Sequence, residues 1–454
     1  MRNHSRIVAQ LQSVQQDLTS FLNEDMINQA CHQAGHTWRK RILTPVVIFH
    51  WLLQQILLEN TALKHVSLLA NRSFTDSAYC QARQKLPLKV FEILLAKLIS
   101  SLQLHTKSDG LWNGHRTFLI DGSAVSMPDT PELQSKFGQP GGQAAGCGFP
   151  VAKILAMFHA TQGFLMKVAV APLRTHELSQ VGLIYPMLQS GDLMVGDRGF
   201  CSYLHIAGLV KHGVHSLFRV HQRQKVDFTK GRKYVRPNEK GKYTKGLPRS
   251  RQVRKLAPLD QLVDWYRPDS LPKFSPDGKR ISIRASLRLR ELQYDLAAKG
   301  FRTKQVTLVT TLTDDEKYTA ESLAELYGIR WRVEQHLRDL KQTLGMDILK
   351  CKSVDGVMKE IYAFVMIYNL VRLVAMEASR RQGVPPERIS FIDALRWLRM
   401  VQEEESEMMH LIVNPLRLNR FEPRVRKRRP KQFPVMKTPR KKWKEANLLQ
   451  GVAA

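Results

Sequence analysis

Three carboxylates in this sequence stand where chemistry would want them. Asp121 closes the apolar run "TFLI" and precedes Gly122, and Asp197 closes "LMV" in "VGDRGF". An acid at the end of a buried strand is fixed by the strand and left accessible by the loop that follows; Asp192, which precedes its strand, reads as a turn residue. Glu334 lies in "YGIRWRVEQHLRDLKQTLGMDILK" (327–350), among Arg330, Arg332, Arg338 and Lys341. On a helix advancing about 100° per residue, Tyr327, Arg330, Glu334 and Lys341 fall within roughly 60° of one another. That stripe is compatible with a solvated face carrying ordinary Glu–Arg pairs at i,i+4. Joined with the two aspartates, it reads as one metal ligand set in a phosphate-binding face. Three hard-oxygen ligands suit Mg²⁺, two such ions about 4 Å apart serve an in-line displacement, and the cations would hold a phosphate that the acids alone repel.

Positioning these groups requires strands for the aspartates and a helix for the glutamate. Residues 1–112 read as all-helical, with apolar periodicity in "VVIFHWLLQQILL" and "VFEILLAKLISSL". Within them, "TALKHVSLLANRSFTDSAYCQARQKLP" has the outline of a helix-turn-helix, with Thr75 or Asp76 as N-cap and Ser77, Gln81, Arg83, Gln84 and Lys85 on the outside of its second helix. Any helical bundle contains similar pairs. Over 113–220 the texture turns to short apolar strands, "TFLIDGSAV", "KILAMFHA", "FLMKVAVAPL" and "DLMVGDRGF", with helices at "HELSQVGLIYPML" and "SYLHIAGLVKHG" and a further strand at "HSLFRV". This is an α/β or α+β layer pattern. Residues 221–295 read as a basic, β-rich insertion, with 20 Lys/Arg against 6 Asp/Glu over 221–290. The core resumes over 296–350 with "QVTLVTTL" and a long helix bearing Glu334. Residues 351–415 are helical again, and 416–454 form a basic tail, in which residues 417–444 hold 13 Lys/Arg, one acid and four prolines and read as extended.

Composition points to the partner. The 454 residues carry 70 Lys+Arg against 40 Asp+Glu, a formal charge of +30, while 43% hydrophobic residues suffice for a real core. Such an excess favours polyanions, nucleic acid first. The apolar runs "TPVVIFHWLLQQILL" and "IYAFVMIYNLVRLVAM" are interrupted by His50, Gln54, Gln55, Asn369 and Arg372, so no membrane span is expected. "MRNHSRIVAQLQSVQQDL" has no apolar core of a secretory signal. Five scattered cysteines without C-x-x-C spacing argue against a zinc site or a disulfide framework and favour a reducing interior.

The spacing Tyr327, Arg330, Glu334, Lys341 resembles the Tyr-Arg-Glu-Lys signature of a branch of bacterial insertion-sequence transposases of the DDE class, the branch that includes the Tn-five transposase. "FLIDGSAVSMPDTPELQSKFG" is similar to that family's first-aspartate segment and "VGDRGF" to its second, while "YCQARQKLP", "AFVMIYNLVR" and "EPRVRKRRPKQFP" resemble its N-terminal domain, closing helix and basic tail. The resemblance covers nearly the whole chain. It implies a ribonuclease-H-like core, a mixed five-stranded sheet with helices, carrying the β-rich insertion and flanked by helical N- and C-terminal regions, with residues 1–112 as the DNA-end-binding domain. Asp121, Asp197 and Glu334 become the acidic triad for two Mg²⁺, with Mn²⁺ as substitute, and Tyr327, Arg330 and Lys341 contact phosphates of the transposon end. Arg219, Arg338, Gln81 and Arg83 are further DNA-binding candidates. Trp265, in "LVDWYRPDSLP", sits where relatives carry a base-stacking tryptophan, the alternative being a small local core within the insertion. The implied activity is cut-and-paste transposition, by strand cleavage at terminal inverted repeats, in several relatives through a hairpin, and 3′-hydroxyl transfer into target DNA. The implied state is a homodimer at synapsis, and the implied location is the bacterial cytoplasm, on the nucleoid. Two rival readings remain: a catalytically silent DNA-binding regulator derived from a transposase, and a ribonuclease-H-like nuclease that cuts without joining.

Overall fold

In the computed structural model of the chain, the described residues are 23–105, 110–142, 144, 146–235, 247–268, 284–295, 305–399, 411–415 and 438–449. Polar caps and apolar faces set the first elements. Helices α1 (Glu24–Gln33), α2 (Pro45–Leu57), α3 (Leu63–Leu69), α4 (Asp76–Lys85) and α5 (Leu88–His105) follow one another. Thr44 Oγ1 accepts from Val47 N at 3.3 Å with Pro45 in the first turn, and Thr75 Oγ1 accepts from Ala78 N at 3.1 Å, so two helices begin where a hydroxyl satisfies an orphan amide. The pair α3–α4 is the expected helix–turn–helix outline.

Among the described residues a single mixed sheet of nine strands fills the centre, in the order β3-β2-β1-β4-β5-β9-β8-β7-β6. The strands are β1 (Thr117–Ser126), β2 (Val151–His159), β3 (Leu165–Pro172), β4 (Leu193–Gly196), β5 (His215–Arg219), β6 (Ser250–Ala257), β7 (Asp260–Tyr266), β8 (Ser286–Asp295) and β9 (Gln305–Thr310). β1, β2 and β3 run antiparallel in sequence, and β1, β4 and β5 run parallel. The sheet is thus larger than the five strands expected. β9 pairs with β5 on one side and β8 on the other, so the described strands of the insertion continue the central sheet instead of forming a separate layer. A long antiparallel hairpin with an open edge is completed most readily by sharing that edge.

The edge at β3 is closed differently. Asn369 Oδ1 accepts from Leu165 N at 2.8 Å and its Nδ2 donates to Leu165 O at 3.0 Å, so one side chain supplies the pair of bonds a neighbouring strand would make. Asn369 belongs to α11 (Val354–Gln382), the longest helix, against which α2, α5 and α12 (Phe391–Arg399) pack. By length and composition α11 could cross a membrane, yet almost all of it is buried inside the protein. Shorter helices α6 (Pro131–Phe137), α7 (Glu177–Gln180) and α8 (Tyr203–Lys211) flank the sheet, and "HELSQVGLIYPML" forms only α7 and two 3₁₀ turns. Of the basic tail, residues 416–437 lie outside the described residues. The part expected to stay extended contains α13 (Arg440–Leu449), held against the core by Arg440, which pairs with Asp129 at 3.0 Å and covers the Phe149 ring.

Candidate active site

Strand register brings the two aspartates together. In the parallel pairing of β1 with β4, Ile120 lies opposite Gly196, so the next residues, Asp121 and Asp197, are neighbours at the point where β4 ends. Asp121 is still held by β1, opposite Ala156 of β2, and its Oδ1 accepts from Gly122 N at 2.8 Å. Burial lifts the Asp121 carboxyl to about 6; the charges of Asp197 and Glu177 add to the rise, and the Gly122 amide and Arg330 oppose it. Asp192, by contrast, is a buried structural acid, bound by Arg116 through two bonds of 2.9 and 2.7 Å.

The helix bearing Glu334 is not one continuous element. It divides into α9 (Ala320–Gly328), α10 (Trp331–Arg338) and a π-helical turn over Asp339–Thr343. Between the first two, Arg330 N, Arg332 N and Val333 N bond three residues back, while Leu344 N bonds five back to Asp339 O. The backbone is therefore tightened before Glu334 and widened after it, a pattern of turns frequent at functional sites. The stripe calculated for an ideal helix does not survive this. Arg330 is 8% exposed, Glu334 is 46% exposed, and Lys341 lies half-buried in the π turn. Beyond the turn the chain returns to β1, where Ser126 N donates to Asp347 O and Leu349 N to Ser126 O, both at 2.9 Å.

Arg330 is the electrostatic centre of the site. Its Nη2 donates to Glu334 Oε1 at 3.2 Å, its guanidinium lies 5.8 Å from the Tyr327 ring centre and 5.0 Å from that of Trp331, and it acts on both Asp121 and Asp197. Its Nε is buried with no partner among the described residues. Tyr327, 7% exposed, donates its hydroxyl to Asp197 Oδ1 at 3.4 Å, and burial drives the phenol above its ordinary range. Arg219 at the end of β5 lies near enough to favour the ionised Tyr327. The structure thus brings Asp121, Asp197, Tyr327, Arg330, Glu334 and Arg219 into one neighbourhood.

Other expectations are corrected. Trp265 is 5% exposed and its Nε1 donates to the buried Glu291 at 2.7 Å, so the ring is part of the insertion's own core and is not offered to DNA. Arg83 does not face outward: Nη1 bonds Gln55 Oε1 at 2.8 Å and Nη2 lies 3.3 Å from Cys351 Sγ, because Gln55 on α2 and Cys351 before α11 offer acceptors on that side. Gln81 and Arg338 are exposed. Two residues near the site escaped the sequence reading. Trp331, 43% exposed, presents an aromatic ring beside Arg330. Glu177 at the start of α7 lies against Gly122, where an added Cβ would stand 2.5 Å from its carboxylate. The sequence offered "WRVE" as a signal for the first; only tertiary packing reveals the second.

Comparison with known proteins gives this geometry a family. A model described as the Transposase DDE domain matches residues 112–370, a span that takes in Asp121, Asp197 and Glu334. The chain belongs to that family. It is a DDE-domain transposase. It is 25% identical over 460 residues to the transposase InsG for insertion sequence element IS4 of Escherichia coli (strain K12), covering 94% of this chain and 96% of that protein. It also resembles the piggyBac transposase of a synaptic complex with hairpin DNA, with a TM-score of 0.43 and 11% identity over 89% of this chain and 82% of that one, a likeness too loose to carry an argument.

DDE-domain transposases generally use divalent metals, and the donor set of this transposase fits them. Among the described residues no three His, Cys, Asp or Glu side chains close around one point. Mg²⁺ does not demand that, since it keeps several waters and is held by one or two carboxylates plus substrate phosphate. The adjoining Asp121 and Asp197 provide such a pair of hard-oxygen ligands. Glu334, turned toward Arg330, stands on the facing helix.

Proposed function

We propose that this transposase carries out cut-and-paste transposition of an insertion sequence: it cuts DNA at the terminal inverted repeats and joins the freed 3′-hydroxyls to target DNA. The observation that carries this reading is the convergence of Asp121 and Asp197 on adjoining strands with Arg330, whose guanidinium bonds Glu334 and acts on both aspartates. Strands β3-β2-β1-β4-β5, with β1, β4 and β5 parallel, are the part of the sheet we assign to a ribonuclease-H-like core. The Tyr327, Arg330, Glu334 and Lys341 spacing supports the Tyr-Arg-Glu-Lys branch. The full-length likeness to an insertion-sequence transposase supports the substrate class.

Asp121, Asp197 and Glu334 would hold two divalent ions, Mg²⁺ or Mn²⁺, which when bound activate the attacking oxygen and stabilise the leaving oxygen. The chain's own part is positioning. Arg330 and Tyr327, already pinned by packing, meet the scissile phosphate without reorganising, so their charge and hydrogen bond are aimed where negative charge develops. Lys341, Arg219 and Arg338 extend the cationic surface along the DNA backbone. If excision passes through a hairpin, the exposed Trp331 ring is placed to support an extruded base, a role the buried Trp265 cannot fill in this conformation.

Residues 1–112, with α3–α4, are assigned to end recognition, 221–295 to an insertion on the core formed by 113–220 and 296–350, 351–415 to a helical buttress, and 416–454 to a basic tail. The protein would synapse two ends as a homodimer, in the bacterial cytoplasm on the nucleoid. Linear DNA carrying the element's ends tests the reading. Wild type should nick and cut at the end with Mg²⁺ and not with EDTA, while Glu334→Gln still binds but does not cut. Binding without cleavage under Mg²⁺ or Mn²⁺ would identify a silent regulator instead.

A further inference from the structure

The strand β7 ends in "DWY", and successive side chains of a strand point to opposite faces. Trp265 takes the inner face and bonds the buried Glu291, so Asp264 and Tyr266 share the outer one. Cross-strand register sets Asp264 between Arg251 of β6 and Arg288 of β8. Arg251 Nη2 bonds Asp264 at 3.0 Å and Arg288 Nε bonds it at 2.6 Å, and about half of each arginine side chain stays exposed above the acid. Beside this rung the half-buried Tyr266 ring stacks on that of Tyr234, with centroids 6.1 Å apart and planes 17° apart.

The segment that carries Tyr234 is fastened on both sides of the ring. Arg232, buried, donates to Ser250 O at 2.7 Å and to Ser250 Oγ at 2.8 Å, and Val235 N donates to Pro248 O at 2.9 Å. Arg251 lies within electrostatic reach of both phenols. Past the strands, Arg267 N pairs with Ala285 O at 2.9 Å, which places Arg267 and the exposed Arg284 at the same end as Tyr266. This end adjoins the active site through α8, which begins just after Asp197: the Tyr203 hydroxyl donates to Arg284 O at 2.7 Å. A pair serving only as core would bury its rings as Trp265 does. Here the stack is left half-covered and rimmed by arginines.

We infer that Tyr234 and Tyr266 form a stacking platform for unpaired nucleotides of a DNA strand, with Arg251 and Arg284 holding the phosphates between them. Flat rings beside cations suit a single strand, whose bases are free to stack, whereas a closed duplex keeps its bases within its own stack. The charge also fits: along this face the arginines outnumber Asp264, the acid they cover. The platform would take a strand opened near Asp197 and keep it from re-pairing. The inference adds a binding site to the reading above and needs from it only that DNA is the substrate.

Fluorescence anisotropy of the full-length protein in EDTA, where no strand is cut, tests this with two probes. One is a labelled oligothymidylate of about twelve nucleotides, within the site sizes that single-strand binders cover. The other is a duplex carrying the element's end. Tyr266→Ala and Tyr234→Ala should each bind the single strand about 10-fold more weakly, the loss of one stacked base, and keep duplex affinity within about twofold. Tyr266→Phe keeps the ring and should bind like wild type. Arg251→Gln should lower the single-strand salt slope by about 0.7, as loss of one phosphate contact does. Unchanged single-strand affinity in both alanine variants would overturn the inference. So would equal losses for the two probes, which would mark the tyrosines as a requirement of the fold, or a phenylalanine variant as weak as the alanine one. Wild type that binds the end duplex but not the single strand would overturn this inference alone; wild type that binds neither would overturn the DNA reading with it.

Discussion

At the residue scale, the site is defined by who is buried beside whom. Asp121 carries a raised carboxyl, which fixes the sign of a pH effect. Its folded pKa of about 6 exceeds the value near 3.9 of an unfolded aspartate, so the folded state binds more protons in between. Stability of the metal-free protein should therefore fall as pH rises from about 4 to about 6. Asp121→Asn should be the more stable protein above that window, by about 1–3 kcal/mol, and lose the advantage near pH 4. Urea unfolding of both proteins at pH 4 and pH 7 reads this, and equal stability at pH 7 would contradict it. Replacing Arg330 by Lys should lower cleavage far more than DNA binding, since Lys cannot keep the Glu334 contact, the two ring contacts and a free donor together. Cleavage and filter-binding assays on one preparation separate the two effects. Asp197 was readable from sequence because a strand's end is a local feature; Asp121 was picked out by the end of its apolar run, although β1 continues past it to Ser126. Glu177 was not, because its only link to Asp121 is a contact over Gly122 between segments 55 residues apart in the chain.

At the element scale, the placement of Glu334 depends on what holds α10. His336, on the buried face of that helix, stacks on Phe158 of β2 at 5.2 Å, and Gly163 in the β2–β3 turn comes close to His336 and Arg372. Gly163 has φ +72°, and a Cβ there would stand 2.6 Å from His336 Cε1 and 2.7 Å from Arg372 Nη2. Gly163→Ala should thus destabilise the protein by about 1–3 kcal/mol, through both backbone strain and the clash. Cleavage should drop with it as α10 shifts, and a melting curve identical to wild type would argue against the tight packing described. Strands and capped helices were largely legible in sequence: short apolar runs between turn residues marked β1 to β5, and Thr75 marked the start of α4. The break between α9 and α10 was not, since an ideal helical wheel assumes uniform rotation while the chain here turns tightly before Glu334 and widely after it. The direction of Arg83 was hidden for a similar reason, its acceptors Gln55 and Cys351 being remote in sequence.

At the scale of the whole molecule, one buried acid ties the parts together. Glu360 on α11 accepts from Asn60 Nδ2 at 2.5 Å, from Lys350 N at 2.9 Å and from Cys351 N at 2.8 Å, joining the N-terminal helices to the chain that leaves the site. Removing it leaves the Asn60 side chain and the Lys350 and Cys351 amides without this acceptor, so Glu360→Ala should cost about 1–3 kcal/mol, as an unsatisfied buried donor does. Thermal unfolding checks this. The +30 charge implies that affinity for DNA should fall by about 10³-fold or more between about 50 and 200 mM salt. A flat salt response would remove the polyanion argument. Charge and family resemblance were visible in composition and spacing, but the nine-stranded sheet was not, because the pairing of β9 with both β5 and β8 is a choice made between distant segments. The most direct test of the account is a joining assay: a pre-cut transposon end with a free 3′-hydroxyl, supercoiled plasmid, Mg²⁺, and wild type beside Asp121→Asn, Asp197→Asn and Glu334→Gln. The account predicts plasmid covalently joined to the end with wild type and none with the three variants. Cutting without any joined product, or joined product formed undiminished by the variants, would contradict it.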